Sequence, residues 1–227
     1  MKRDYLNGTP YSICQGEEMF HFNSDTELLG NFMKVHKGDS LLDIGTNNGA
    51  LLFYGAAKGA GSLTGIDLFE ENIAVAEENM HYNHVQADLQ VVRVQDYIHA
   101  PFDVIVCNPP YFHTENESLK KENRYLRAAR HDDYLSLQDL SSSCRRLLKD
   151  NGKVFLVYRS DSLMRLLHAF EKEGLYPERM RIVYGAVHKQ AKSILVCFSR
   201  KNNPDLVIEK PAFLNDRKSY GWEEESV

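Results

Sequence analysis

Leu41-Leu42-Asp43-Ile44-Gly45-Thr46-Asn47-Asn48-Gly49-Ala50-Leu51 has the pattern of a strand, a tight loop and a helix start. The apolar run ends at an acid, Asp43, and glycines at 45 and 49 bracket the loop. Such a turn lets backbone N–H groups and a helix N-terminus approach a ligand closely. A helix-like run, Ala50 to Lys58, follows. A second strand pattern, Ser62-Leu63-Thr64-Gly65-Ile66-Asp67, ends in an acid 22 positions after Gly45. An acid there, with Leu68 behind it, is placed to accept hydrogen bonds from both hydroxyls of a ribose. A third candidate strand, Leu89 to Gln95, ends at Asp96, and a fourth, Phe102 to Cys107, ends at Asn108. A lone acid of this kind is as readily a helix cap or a turn residue. Four successive strand ends carrying polar side chains point instead to an open α/β sheet, whose ligands bind at the carboxyl ends of its strands.

The fourth strand runs into Asn108-Pro109-Pro110-Tyr111. Two prolines cannot continue a sheet, because neither has an N–H to donate and both fix φ. The chain stops rigidly with an amide on one side and an aromatic ring on the other. The Asn108 side-chain oxygen and the carbonyls beside Pro109 can accept hydrogen bonds from an –NH2, and Tyr111 can stack on the ring that bears it. The bland alternative is a Pro-Pro turn with Tyr111 as packing.

The rest of the chain extends the alternation. A helix is expected over 25–36, capped by Ser24 or Asp25. Further helices are expected over 136–148 and over 161–173, the latter ended by Gly174. Strands are expected over 153–158, 179–185 and 193–199, the last two forming an antiparallel hairpin. The expectation is a seven-stranded, Rossmann-like sheet, mostly parallel, in one domain over residues 25–201. Residues 1–24 are expected to form a small hairpin or lid, and 202–227 an extended tail.

Composition fits one globular α/β domain: 227 residues, 43% hydrophobic and 26% charged. No run of about 18 apolar residues suggests a membrane span. The scattered cysteines 14, 107, 144 and 197 and the nine histidines show no metal spacing, which suggests reduced thiols, a cytoplasmic protein and no metal. The net charge of −5 conceals a division. Residues 1–111 carry 6 basic and 15 acidic side chains, whereas 141–201 carry 13 basic and 5 acidic. The basic part, together with Lys120, Lys121, Arg124, Arg127 and Arg130 just after Tyr111, suggests a polyanionic partner. A solvated helix face accounts equally well for any single cluster.

Together these residues resemble the class I S-adenosylmethionine-dependent methyltransferases, in their amino-methylating branch. The resemblance implies S-adenosyl-L-methionine as cofactor and Asn108, Pro109, Pro110 and Tyr111 as the catalytic motif. It implies cofactor contacts from Asp25, Asp43, Gly45, Asn47, Gly49, Asp67, Leu68, Asp96 and Asn108. One position departs from the pattern: the middle small residue of the loop is Asn47, not glycine. Asparagine tolerates the left-handed conformation better than other non-glycine residues. Phe22-Asn23-Ser24-Asp25-Thr26-Glu27-Leu28-Leu29 before the loop and Ala129-Arg130-His131-Asp132 after the motif are similar to the bacterial tRNA(Val) adenine-N6-methyltransferases, with the same ordering along nearly the whole chain. That likeness implies tRNA as partner, gripped by the basic residues 120–130, and no obligate protein partner. Protein glutamine-N5-methyltransferases share Asn-Pro-Pro-Tyr, because a glutamine amide is also a planar –NH2. Against them stand the 42 residues before Asp43, too few for their helical N-terminal domain, and the absence of their Arg-x-Glu-Thr-Glu run. A non-catalytic RNA-binding module with an altered cofactor loop is the third alternative.

Overall fold

A computed structural model of the chain describes residues 3–15, 23–109, 135–202 and 205–220. Arg3–Tyr5 (β1) and Ser12–Cys14 (β2) pair as a small antiparallel ribbon. The alternation then runs α1 (Ser24–Phe32), β3 (Ser40–Ile44), α2 (Ala50–Ala57), β4 (Ser62–Asp67), α3 (Glu70–Tyr82), β5 (Asp88–Val91) and β6 (Phe102–Cys107). It resumes with α4 (Leu137–Leu147), β7 (Leu148–Arg159), α5 (Leu163–Lys172), β8 (Tyr176–Tyr184) and β9 (Ala191–Ser199). Two short strands follow, β10 (Val207–Ile208) and β11 (Ala212–Phe213).

The main sheet has nine strands in the order β10-β8-β9-β7-β6-β3-β4-β5, with β11 also on β8. β3, β4, β5, β6 and β7 are mutually parallel, and β9 runs antiparallel between β7 and β8. The count exceeds the expected seven because part of the expected tail joins the sheet. Its two strands are only two residues long, too short to show a period-2 pattern. Backbone bonds hold them to β8, Glu209 N–H to the Met180 carbonyl at 2.8 Å and Leu214 N–H to that of Tyr184 at 2.9 Å. The Arg181 guanidinium donates to the carbonyls of Lys210, Ser219 and Tyr220, and Ala212 and Tyr220 are buried.

Apolar side chains cover both faces of the sheet. Phe155 and Val157 of β7, with Leu195 and Cys197 of β9, join α1 and α2 in one core. Val154, Leu156 and Tyr158, with Ile194, Val196 and Phe198, join α4 and α5 in the other. Helices on both faces explain why the second half of β7, Val154 to Tyr158, reads as a continuous apolar run.

Several expected boundaries move, those of α1 and β5 among them. α1 starts one residue earlier and is capped by Asn23, whose side chain accepts from Asp25 N–H and Thr26 N–H. It ends at Phe32 because Met33 is extended, and Lys58 Nζ donates to the carbonyls of Asn31 and Met33 at its end. β5 ends at Val91, not beside Asp96. Beyond it the chain turns so that Val94 and Tyr97 are buried, and Arg146 of α4 donates to both their carbonyls. That contact spans some fifty positions of sequence and has no local signal.

α1 and α2 meet where Gly30 faces Tyr54. A Cβ on Gly30 would lie 2.4 Å from the Tyr54 ring. The ring is 1% exposed and its hydroxyl donates to the Asn7 carbonyl at 2.9 Å, so it has no free space to yield into. Gly30→Ala is expected to destabilise the protein by about 1–3 kcal/mol through overpacking. The gain in helix propensity, about 1 kcal/mol, offsets only part of such a clash. Urea denaturation followed by circular dichroism measures it, and an unchanged or raised midpoint contradicts it.

Candidate active site

The chain leaves β3 towards β4 and β5, then returns to pair β6 on the other side of β3. This reversal is the place where open α/β sheets bind ligands. Ile44 is in register with Ile66 of β4 and with Cys107 of β6. Gly45, Asp67 and Asn108 therefore emerge on one rim. The loop between β3 and α2 turns through three left-handed residues, Gly45 (φ 73°), Asn47 (φ 53°) and Gly49 (φ 82°). Gly45 has open space where a side chain would stand, so its backbone is accessible. Gly49 serves packing instead, since a Cβ there would lie 3.0 Å from Met80 Cε on α3. Asn47 adopts the left-handed turn, as its residue type allows, and its N–H donates to Asp67 Oδ2 at 2.9 Å.

A second asparagine, absent from the sequence-based list, braces this loop. Asn79 of α3 is fully buried and its amide donates to the Asn48 carbonyl and to the Cys14 carbonyl, both at 3.0 Å. It also accepts from Cys14 N–H at 2.7 Å, so it ties the β1–β2 ribbon to the loop. The available signal was a polar residue on the buried stripe of α3, next to Ala76 and Met80.

The acids divide by environment. Asp43 is 1% exposed and accepts from the Thr46 hydroxyl at 2.8 Å. Burial pushes its carboxyl up to about 7, opposed by the Thr46 hydrogen bond and reinforced by the charge of Asp67. Asp67 accepts from Phe69 N–H and Asn72 Nδ2, both at 3.0 Å, besides Asn47 N–H. Burial raises its pKa and these donors oppose the rise. Leu68 beside it is half-buried, and Asp96 is exposed on a turn beyond β5. Asp25 is buried and turned towards β9, accepting from the Ser193 hydroxyl at 2.9 Å with Lys192 Nζ 3.7 Å away.

Asn72 Oδ1, at the start of α3, is a buried side-chain atom without a hydrogen-bond partner among the described residues, and so are two on β3 and the loop after it, Asp43 Oδ1 and Asn48 Nδ2. One is an acceptor on an acid and the other a donor. Buried polar atoms are ordinarily satisfied. An ammonium and a carboxylate would satisfy these two, so the donor set fits the amino-acid end of S-adenosylmethionine.

Asn108 is half-buried and Pro109 buried at the end of β6. The Asn108 amide donates to the Thr26 hydroxyl of α1 at 3.1 Å. Pro110, Tyr111, Lys120, Lys121, Arg124, Arg127 and Arg130 lie outside the described residues. Within the basic stretch 141–201, much of the charge serves the fold. Arg146, Arg181 and Arg200 donate to backbone carbonyls, and Arg179 donates to the Phe32 carbonyl and pairs with Glu209. Lys149 pairs with Asp103 and Lys153 with Glu178. On the rim that carries Asn108 stand exposed Arg165, which donates to the Ser162 hydroxyl, Lys189 in the β8–β9 turn and Lys192 at the start of β9 beside Asp25. All four cysteines are buried and free, and burial pushes the Cys107 thiol well up. Among the described residues no group of three His, Cys, Asp or Glu could hold a metal, and no helix is long and apolar enough to cross a membrane.

Comparison with known proteins finds similar chains. The family model described as ribosomal protein L11 methyltransferase matches residues 26–109. A Trichodesmium erythraeum protein named tRNA1(Val) (adenine(37)-N6)-methyltransferase is 28% identical over 225 residues, covering 96% of this chain and 92% of the relative. A Vibrio vulnificus protein of the same name is 29% identical over 216 residues, covering 92% and 87%. Among solved structures, ribosomal protein L11 methylase from Lactobacillus delbrueckii subsp. bulgaricus superposes with a TM-score of 0.61 at 21% identity, covering 81% of this chain and 82% of that one. A T. thermophilus 16S rRNA N2 G1207 methyltransferase in complex with AdoMet and guanosine gives 0.63 at 18% identity, covering 88% and 50%. At these identities the solved structures speak to the fold, a mixed α/β sheet of the class I methyltransferases.

Asp43 also makes stability depend on pH. Its folded pKa of about 7 lies above its ordinary 3.8, so the folded chain holds a proton that the unfolded chain has lost between those values. This contribution makes the ligand-free protein less stable as pH rises through that window, and it levels off above about 7. Asp43→Asn is expected to be more stable than the native chain at pH 8, by about 1–3 kcal/mol, the scale of an unsatisfied buried polar group. The difference should shrink at pH 5. Denaturant titrations at both pH values read it out, and a pH-independent difference would exclude Asp43 as the titrating group.

Proposed function

We propose that this chain, a class I S-adenosylmethionine-dependent methyltransferase, N6-methylates an adenine of tRNA, and that the target is the anticodon-loop adenine of tRNA(Val). The observation that carries the catalytic assignment is the placement of Asn108. It ends β6 directly across from the left-handed loop that follows β3, through the Ile44–Cys107 register. An amide oxygen there can meet a substrate –NH2 beside a cofactor held on the loop. The names and coverage of the relatives support tRNA as substrate over the protein amide of a glutamine methyltransferase.

When bound, the cofactor supplies a methyl group activated by its sulfonium. The chain's own residues hold and aim the partners. Asp43 and Asn48 take the amino-acid end, Gly45, Asn47 and Gly49 shape the loop, and Asp67 with Leu68 takes the ribose. Asp96 is the next acid along that rim. The adenine N6 lone pair is delocalised into the ring and is a poor nucleophile. Hydrogen bonds from N6–H2 to Asn108 Oδ1 and the Pro109 carbonyl favour a pyramidal nitrogen and direct its lone pair at the methyl. The proton leaves the amine after transfer, so no strong base is required. Catalysis is then positioning and charge placement. Pro110 and Tyr111 continue the motif, with Tyr111 as the stacking surface. An unpaired anticodon loop yields its base at low cost. Lys120, Lys121, Arg124, Arg127 and Arg130, joined by Arg165 and Lys189, hold its phosphates. Such a substrate places the reaction in the cytoplasm.

Purified protein with labelled cofactor and bulk tRNA is expected to yield N6-methyladenosine on nucleoside analysis. Asn108→Ala should keep cofactor affinity and lose about 100-fold or more in turnover, near 3 kcal/mol of transition-state stabilisation. Lys189→Glu should raise KM for tRNA at low salt and leave cofactor binding alone. Label that appears in a protein glutamine and not in tRNA would overturn the substrate assignment. Native turnover by Asn108→Ala would remove the amine-acceptor role.

A further inference from the structure

We infer that Thr26 is a positioning residue that sets which end of the Asn108 amide faces the substrate, an inference that rests on the amine-acceptor role proposed above for Asn108. A side-chain amide is a donor at one end and an acceptor at the other. Turned one way it offers an oxygen to the adenine –NH2. Turned the other way it opposes a donor to a donor. Nothing in β6 itself selects between these, because Asn108 lies past the end of the strand.

Thr26 supplies the selection. Its hydroxyl oxygen accepts from Asn108 Nδ2 at 3.1 Å, which commits the amide nitrogen to α1 and leaves Oδ1 for another donor. Accepting that bond engages a lone pair of the Thr26 hydroxyl oxygen. Thr26 is 6% exposed, so water competes little for that lone pair.

The first turn of α1 is also held from several sides. Asn23 Oδ1 accepts from the N–H groups of Asp25 and Thr26. Asp25 accepts from Ser193 on β9, and Glu27 accepts from Asn7 Nδ2 at 2.8 Å. Three consecutive polar residues, Asp25, Thr26 and Glu27, are therefore buried, and each addresses a different part of the chain. A lone threonine on a loose segment could not orient a catalytic amide. One fixed between two tethered acids can.

Thr26→Val keeps the shape and removes the acceptor. Its kcat on tRNA is expected to fall about 10- to 100-fold, the scale of a misplaced reacting group. Cofactor affinity by calorimetry and the melting temperature should stay close to native values. Thr26→Ser, which restores the hydroxyl, should return kcat to within about threefold of native. In an Asn108→Ala background, Thr26→Val should cost nothing further, because the two residues act as one unit. Native kcat in a folded Thr26→Val protein overturns the inference, as does additive loss in the double variant. If Thr26→Val does not fold, Thr26→Ala against Thr26→Ser decides, and equal kcat in those two also overturns it. The native protein run alongside separates the two levels. Failure of the native chain to make N6-methyladenosine rejects the function, whereas normal native activity with an unaffected variant rejects only the role of Thr26.

Discussion

Ile44 lies between Ile66 and Cys107, paired in parallel with both, and the site depends on that register. A parallel ladder brings the carboxyl ends of neighbouring strands to the same edge. With β3 flanked by β4 and β6, Asp67, the loop from Gly45 and Asn108 come together although they are far apart in sequence. A shift of one residue in either pairing would turn the side chains of the shifted strand to the other face. Both faces of β6 and β7 are apolar, covered by α1 and α2 on one side and by α4 and α5 on the other, so the register is held by close packing against those helices and not by an apolar–polar alternation.

Around that rim, buried asparagines and acids do the fastening. Asp67 secures the loop through Asn47 N–H and secures the start of α3 through Phe69 N–H and Asn72. Asn79 ties the same loop to the β1–β2 ribbon, and Asp25 ties α1 to β9. Asp43 Oδ1 and Asn48 Nδ2, which lack a partner among the described residues, stand out against this background. Unsatisfied buried atoms cost free energy, and they lie on the strand and loop from which a zwitterionic group would be held.

The positive charge of the C-terminal half has two uses that composition cannot separate. Arg181 fastens residues 210–220 to β8, Arg200 binds carbonyls at the end of α4, and Arg146 holds the turn after β5. Guanidinium groups suit this, since a planar fork satisfies several carbonyls at once. The lysines and arginines that stay exposed around the β8–β9 turn and at the start of α5 are fewer, and they lie on the rim with Asn108.

Sequence alone determined where the chemistry-bearing strand ends lie. Asp43, Asp67 and Asn108 each close an apolar run, and local pattern suffices for that because burial on both faces demands an apolar strand. The left-handed positions 45, 47 and 49 were equally legible, since few residue types adopt them. Pattern failed at Asp96: Val92-Arg93-Val94 has the alternation of a strand, yet burial of Val94 and Tyr97 under Arg146 bends the chain away after Val91. It failed again after residue 201, where two-residue strands exist only because the edge of β8 receives them. Tertiary structure decided which polar groups meet. Thr26 and Asn108 are 82 positions apart, and Asn79 and Cys14 are 65 apart. A hydrogen bond between distant segments leaves no periodicity in either, so it becomes visible only when the sheet has brought them together.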